Sequence, residues 1–168
     1  MANVLCFVGS WCFTTAAWMQ LVLADRSSRF DLSSAAVQFA GTLLFNISTG
    51  AAVWAHAVTA ERRYVWAPDA TGSIAFLLSG ALAMVAVTAT AGLIELRSRD
   101  WQAGFVNLIG CVAFGVSAVA AFVRGSGITA DERLANLGTF IGALCFLLAA
   151  LMELPRGRDR TADFRVVS

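Results

Sequence analysis

The chain has 168 residues, 58% hydrophobic and only 14% charged, with a net charge of +1 and a mean hydropathy of +0.72. An ordinary soluble domain carries charge on about a quarter of its residues, so a soluble globular reading is excluded. All twelve basic residues are Arg and they are scattered, which leaves nucleic-acid binding without an electrostatic basis.

Five apolar stretches are long enough to cross a hydrocarbon core of about 30 Å at roughly 1.5 Å per helical residue. They run from Ala2 to Ala24, Ala35 to Ala60, Ile74 to Ile94, Ala103 to Val123 and Leu137 to Leu154, the last stopped by Pro155 and Arg156. Their lack of alternation rules against a barrel, and open strands would leave backbone groups unpaired in lipid. The predicted fold class is therefore all-α, a polytopic membrane protein of five transmembrane helices.

The chain divides into a first hairpin (residues 1–60), a connection holding the third span (61–102), a second hairpin (103–154) and an Arg-rich tail (155–168). No Lys or Arg precedes the first span and Val22-Leu23-Ala24 is a poor cleavage site, so this segment reads as a retained span and not a signal peptide. Tyr64, Trp66 and Trp101 are placed to anchor helix ends at the membrane surface.

Orientation follows from the arginines on the two sides. Arg62, Arg63, Arg124 and Arg133 face one side, and Arg26, Arg29, Arg97, Arg99 and the tail residues Arg156, Arg158, Arg160 and Arg165 the other. The positive-inside rule places the N-terminus out and the C-terminus in. The use of Arg alone, with abundant Ala and Gly, has the look of a GC-rich bacterial sequence, so the expected location is a bacterial inner membrane.

Each span carries a glycine four residues before a large apolar residue: Gly9 and Phe13, Gly41 and Phe45, Gly80 and Met84, Gly110 and Phe114, Gly142 and Phe146. Gly9 to Gly41 and Gly110 to Gly142 are equally spaced, which overlays spans one and two on spans four and five as an internal, inverted repeat. A competing match joins spans one and five, GSWCFTTAAWMQL and GALCFLLAALMEL, and the two alternatives stay open. Gly9, Cys12, Phe13, Ala16, Ala17 and Gln20 form one stripe, repeated by Gly142, Cys145, Phe146, Ala149, Ala150 and Glu153. Such small-residue stripes, with Gly138-x-x-x-Gly142, are expected to be helix-packing faces.

The segment FDLSSAAVQFAGTLLFNISTGAAV, Phe30 to Val53, together with the Gly-Ser-x-x-Phe of the first span, resembles the YrhK-like family of small bacterial membrane proteins. The likeness covers the second span well and the first loosely. It implies a two-helix membrane hairpin and no reaction, and carries over no catalytic residue.

Polar side chains inside membrane helices are the candidates for function. Asn46, with Ser48, Thr49 and Gly50, either lines a small polar cavity or makes an interhelical hydrogen bond worth roughly 0.6 to 2 kcal/mol. Asn107 has the same character nearer a helix end. Gln20 and Glu153 hold equivalent positions near the inner ends of their helices; Glu153 and Glu95 either relay a proton or pair with Arg156 or Arg97. His56 is the only histidine. That rules out a bis-histidine haem within one chain and an H-E-x-x-H zinc site.

Cys6, Cys12, Cys111 and Cys145 lack metal-ligand spacing and are expected as small core residues. No G-x-S-x-G elbow occurs. The sequence thus offers no catalytic residue, no metal site and no cofactor.

Three functions remain in view. The first is a structural or accessory membrane subunit, among membrane lipids, packing in a homo-oligomer or a larger membrane complex. The second is a small homo-oligomeric transporter or channel with a polar site between the hairpins, near Asn46 and Asn107. The third is a membrane redox or lipid-modifying enzyme acting through His56 or the carboxylates.

Overall fold

The computed structural model describes residues 2–91 and 95–153, and these form helices and short connections with no named strand. Helix α1 is Ala2–Leu23 and α2 is Arg29–Ala51. Helix α3 opens with Val58–Ala60, passes through a π-helical turn, Glu61–Trp66, and continues as Ala67–Ala91. Helices α4 and α5 are Arg99–Ala120 and Glu132–Glu153. Leu154, the arginines of the tail and the expected end of the third span at Ile94 lie outside the described residues.

Four stretches are long and apolar enough to cross a membrane: Asn3–Leu23, Val58–Ala89, Arg99–Ala120 and Glu132–Glu153. Helix α2 is 23 residues long but starts with Arg29 and Asp31 and buries Ser34, Gln38, Thr42, Asn46 and Thr49.

Several span limits differ from expectation, three of them for reasons of local structure. Helix α2 starts at Arg29 because Ser28, extended at φ −93° and ψ 110°, accepts a hydrogen bond from the Asp31 N–H and caps the first turn. It ends at Ala51 and not Ala60, and the residues up to Ala60 belong to the turn and the start of α3. Helix α3 therefore starts sixteen residues before the expected Ile74, so Tyr64, Trp66, Pro68 and Asp69 sit inside a helix and not in a connection.

Pro68 accounts for the π-helical turn just ahead of it. Proline has no N–H, and its ring crowds the carbonyl four residues back, so an α-helix there must widen or kink. The Ala67 N–H accordingly reaches Arg62 O, five residues away. Ser98 caps α4 as Ser28 caps α2, and the Asp131 carboxylate accepts from the Leu134 N–H at the start of α5.

Each helix packs antiparallel on the next. Asn46 and Thr49 of α2 meet Thr14 and Ser10 of α1; Ser34 of α2 meets Ser79 of α3; Ser73 of α3 meets Phe114 O of α4; Ser117 of α4 meets Ala135 O and Thr139 of α5. At the centre lie five phenylalanines, one from each helix: Phe13, Phe45, Phe76, Phe114 and Phe146. Their ring centroids stand 5.2 to 5.8 Å apart in the contacting pairs, and Phe13 to Phe146, at 5.3 Å, joins α1 to α5 across the bundle.

The glycines make room for these rings. An added Cβ at Gly110 would lie 2.7 Å from the Phe146 ring, one at Gly142 2.6 Å from Phe114, and one at Gly41 2.6 Å from Phe76. Gly41, Gly110, Gly142 and also Gly138, which faces Ala113 O and Ser117, thus lie where neighbouring helices touch. Gly9 does not: it is exposed, and among the described residues nothing lies within 4 Å of its missing Cβ. On α3 the residue that reaches the centre is Phe76, four after Gly72, whereas Gly80 and Met84 pack against α4 at Cys111 and Gly104.

Small and hydroxyl-bearing residues fill the interior and large aliphatic ones cover the outside. Ser10, Thr42, Ser73, Ser79 and Ser117 are buried, while Leu5, Leu23, Ile74 and Val119 are each at least 66% exposed. That inside-out pattern belongs to a bundle solvated by hydrocarbon, where close backbone approach and hydrogen bonding replace the hydrophobic force.

Candidate functional site

Helix α2 presents a polar stripe to its neighbours, Ser34, Gln38, Thr42, Asn46 and Thr49, at helical spacing of three and four and all buried. Most of it is satisfied. Ser34 and Ser79 exchange hydroxyl-to-carbonyl bonds of 2.9 Å each way, and the Thr42 hydroxyl donates to Phe39 O.

Toward the α2–α3 turn the stripe joins α1 in a four-residue network. Asn46 Nδ2 donates to Thr14 Oγ1 at 2.9 Å, Thr14 donates to Ser10 O, and Thr49 Oγ1 stands 3.1 Å from Ser10 Oγ and 2.9 Å from Phe45 O. Among the described residues, two buried acceptors have no partner, Asn46 Oδ1 and Gln38 Oε1. An unpaired buried amide oxygen costs stability and is a place for a donor or a cation.

The sequence candidates do not all gather here. Asn46 and Thr49 do, with Ser10 and Thr14, which sequence reasoning missed because Ser and Thr in a membrane helix are too common to single out. Asn107 is half-buried on α4, about two turns beyond Phe114 on the far side of the phenylalanine layer, and its amide faces Cys111 Sγ of its own helix at 3.9 Å. It shares no site with Asn46. Gln20 and Glu153 are exposed near the opposite end of the bundle. The α1 stripe is correspondingly split: Phe13 and Ala17 turn inward, and Gly9, Cys12, Ala16 and Gln20 face out.

A cavity of about 340 Å³ opens at the end where the network lies. Asn3, His56, Glu61, Val65, Val123 and Thr129 are among its walls. The α4–α5 loop that closes one side is tightly held. Val123 bridges Thr129, Gly127 takes φ 80°, the Arg62 guanidinium donates to Val123 O and lies 5.2 Å over the Phe122 ring, and the Trp66 indole donates to Ala118 O. On the other side Asn3 Nδ2 donates to Ala52 O.

No family model, no curated protein and no solved structure matches this chain. Function is therefore argued from the chain's own residues.

One further residue lies near the cavity without being among its walls. Asp69 lies one turn inward from Val65, on the α3 seam that continues through Gly72, Ser73 and Phe76, all three buried. Asp69 is half-buried, and no described residue forms a hydrogen bond or ion pair with it. Its signal in the sequence was the three-and-four spacing from Val65 to Asp69, Ser73 and Phe76, hidden because Pro68 marks the stretch as a connection.

The network has a measurable strength. Asn46→Leu is expected to lower stability in detergent by about 0.6 to 2 kcal/mol, and Thr14→Val by a similar amount. The double variant should lose less than the two singles together, since both remove one bond. Additive losses in thermal unfolding would show that Asn46 and Thr14 do not interact.

Proposed function

We propose that this chain is a five-span protein of the bacterial inner membrane, N-terminus out and C-terminus in, acting as a structural or accessory subunit of a larger membrane assembly. The observation that carries the reading is the phenylalanine layer. With one ring from every helix meeting at the centre, the bundle is filled where a pore would need space. The counting of α2 as the fifth span rests on its 23-residue length and its place between α1 and α3. Its likeness to the YrhK-like hairpin fits the same reading.

The glycine and phenylalanine interlock also bears on the repeat. Gly41 with Phe76 on α2–α3, and Gly110 with Phe146 on α4–α5, pack alike. Ser28 and Ser98 cap the two hairpins in the same way, each also donating its N–H to the residue three before it. These favour a parallel repeat of α2–α3 and α4–α5 over an inverted one of spans one and two with four and five.

Native mass spectrometry after extraction in a mild detergent tests the function. The expected result is co-purification with another membrane protein in fixed ratio. A lone homo-oligomer that supports solute flux in vesicles would overturn it and establish the second reading, a transporter, which the cavity and the half-buried Asp69 favour.

A further inference from the structure

We propose that a trough between α3 and α4 seats the acyl chain of a phospholipid whose headgroup carries an ammonium, held at Asp131. The inference rests on reading the chain as membrane-spanning. The trough has a volume of about 650 Å³. Ile74 and Leu77 of α3 form one wall and Val112 and Val116 of α4 the other, and Asp131 stands at the end nearest the α4–α5 loop.

The walls suit hydrocarbon. Two of them carry polar atoms, but these are turned into the protein: the Trp66 indole donates to Ala118 O and the Ser73 hydroxyl to Phe114 O. Ile74, Val112 and Val116 are exposed, so the trough lies open to the surroundings of the bundle, and in a membrane those are lipid chains.

The charged end suits an ammonium. Asp131 is the only charged side chain among the lining residues. Its Oδ1 accepts from the Leu134 N–H, and no described basic side chain pairs with it. Its backbone is fixed, since the Asp131 N–H donates to Ala120 O and the Ala130 N–H to Phe122 O. A carboxylate set at the rim of an apolar trough is complementary to a cation joined to a hydrocarbon chain.

The depth separates a lipid from a helix. From Ala120 to Val112 on α4 the trough runs about 12 Å, and from Trp66 to Leu77 on α3 about 16 Å, at 1.5 Å per residue. Half of a hydrocarbon core is about 15 Å, the reach of one leaflet, whereas a partner helix that crosses the membrane needs a face of about 30 Å. The trough stops next to Phe76 and Phe114 of the phenylalanine layer. Trp66, near its outer end, is of the type that marks the headgroup level.

Native mass spectrometry of the full-length protein in a mild detergent tests the proposal, with phosphatidylethanolamine or phosphatidylglycerol of the same acyl chains added in turn. The expected result is one bound lipid per chain and about a fivefold preference for phosphatidylethanolamine, the scale of an ion pair near a surface. Asp131→Asn removes the charge while asparagine still caps α5, and it should abolish the preference. Val116→Trp fills the trough and should weaken both lipids by about tenfold. Leu5→Trp, at an exposed residue of α1 outside the trough, should change neither.

If Val116→Trp does not fold, Val119→Trp on the same wall takes its place. Equal binding of the two lipids by the wild type overturns the proposal, and so does binding that the tryptophan leaves unchanged. A second polypeptide that co-purifies with the wild type and is lost with Val116→Trp but not Leu5→Trp also overturns it, and assigns the trough to a partner. Alkaline carbonate extraction tests the membrane reading separately: a chain released by carbonate sinks that reading, whereas a retained chain whose lipid binding ignores the tryptophan sinks the trough alone.

Discussion

Phe76→Ala is expected to be the most damaging single truncation in the chain, lowering stability by about 3 to 5 kcal/mol. The Phe76 ring is fully buried and touches Phe13, Phe114 and Phe146, three rings from three other helices, and fills the space left by Gly41. Burial from water is not what is lost, because in lipid the unfolded helix is already surrounded by hydrocarbon. What disappears is dispersion contact and shape fit, and neighbours fixed on separate helices cannot collapse into the hole. Thermal unfolding in a mild detergent, read by intrinsic fluorescence, measures the loss. Phe76→Leu should recover part of it, and a Phe76→Ala protein as stable as wild type would show that the layer is not the core.

Gly138→Ala is the second test and works by addition, not removal. Its Cβ would lie 2.9 Å from Ala113 O and 2.9 Å from Ser117 Cβ, with Ser117 Cα at 3.1 Å. Two of these are backbone atoms of α4, so no rotamer change relieves the contact and the two helices must separate. Separation also stretches the bonds from Ser117 Oγ to Ala135 O and Thr139 Oγ1. Overpacking of this kind costs about 1 to 3 kcal/mol.

Gly9→Ala is the matching control. Nothing lies within 4 Å of its added methyl, and alanine is about 1 kcal/mol better than glycine inside a helix. Gly9→Ala should therefore be neutral or stabilising in the same melt. Equal losses at both positions would mean that the helix contacts differ from those described.

The candidate site was half legible. Asn46 stands out because an amide in an apolar run is rare and costly, and it does anchor a network. Asn107 looked the same by that criterion but lies beyond the phenylalanine layer, because what separates them is the register between helices. Asp69 was passed over for the opposite reason. Pro68 beside it reads as a helix end, yet the chain keeps its helix by widening one turn.

The sequence by itself determined that the chain is helical, that long apolar helices account for most of it, and that its connections are short. Those properties are local: they follow from the length of the apolar runs and from capping residues such as Ser28 and Ser98. Only the tertiary structure decided which face of each helix turns inward, where α3 begins, which glycines receive a ring, and that Asp69 lies on a packing seam. The reason is physical. When the surroundings are as apolar as the core, hydropathy no longer tells inside from outside, and the choice passes to close packing and to hydrogen bonds between residues far apart in the chain.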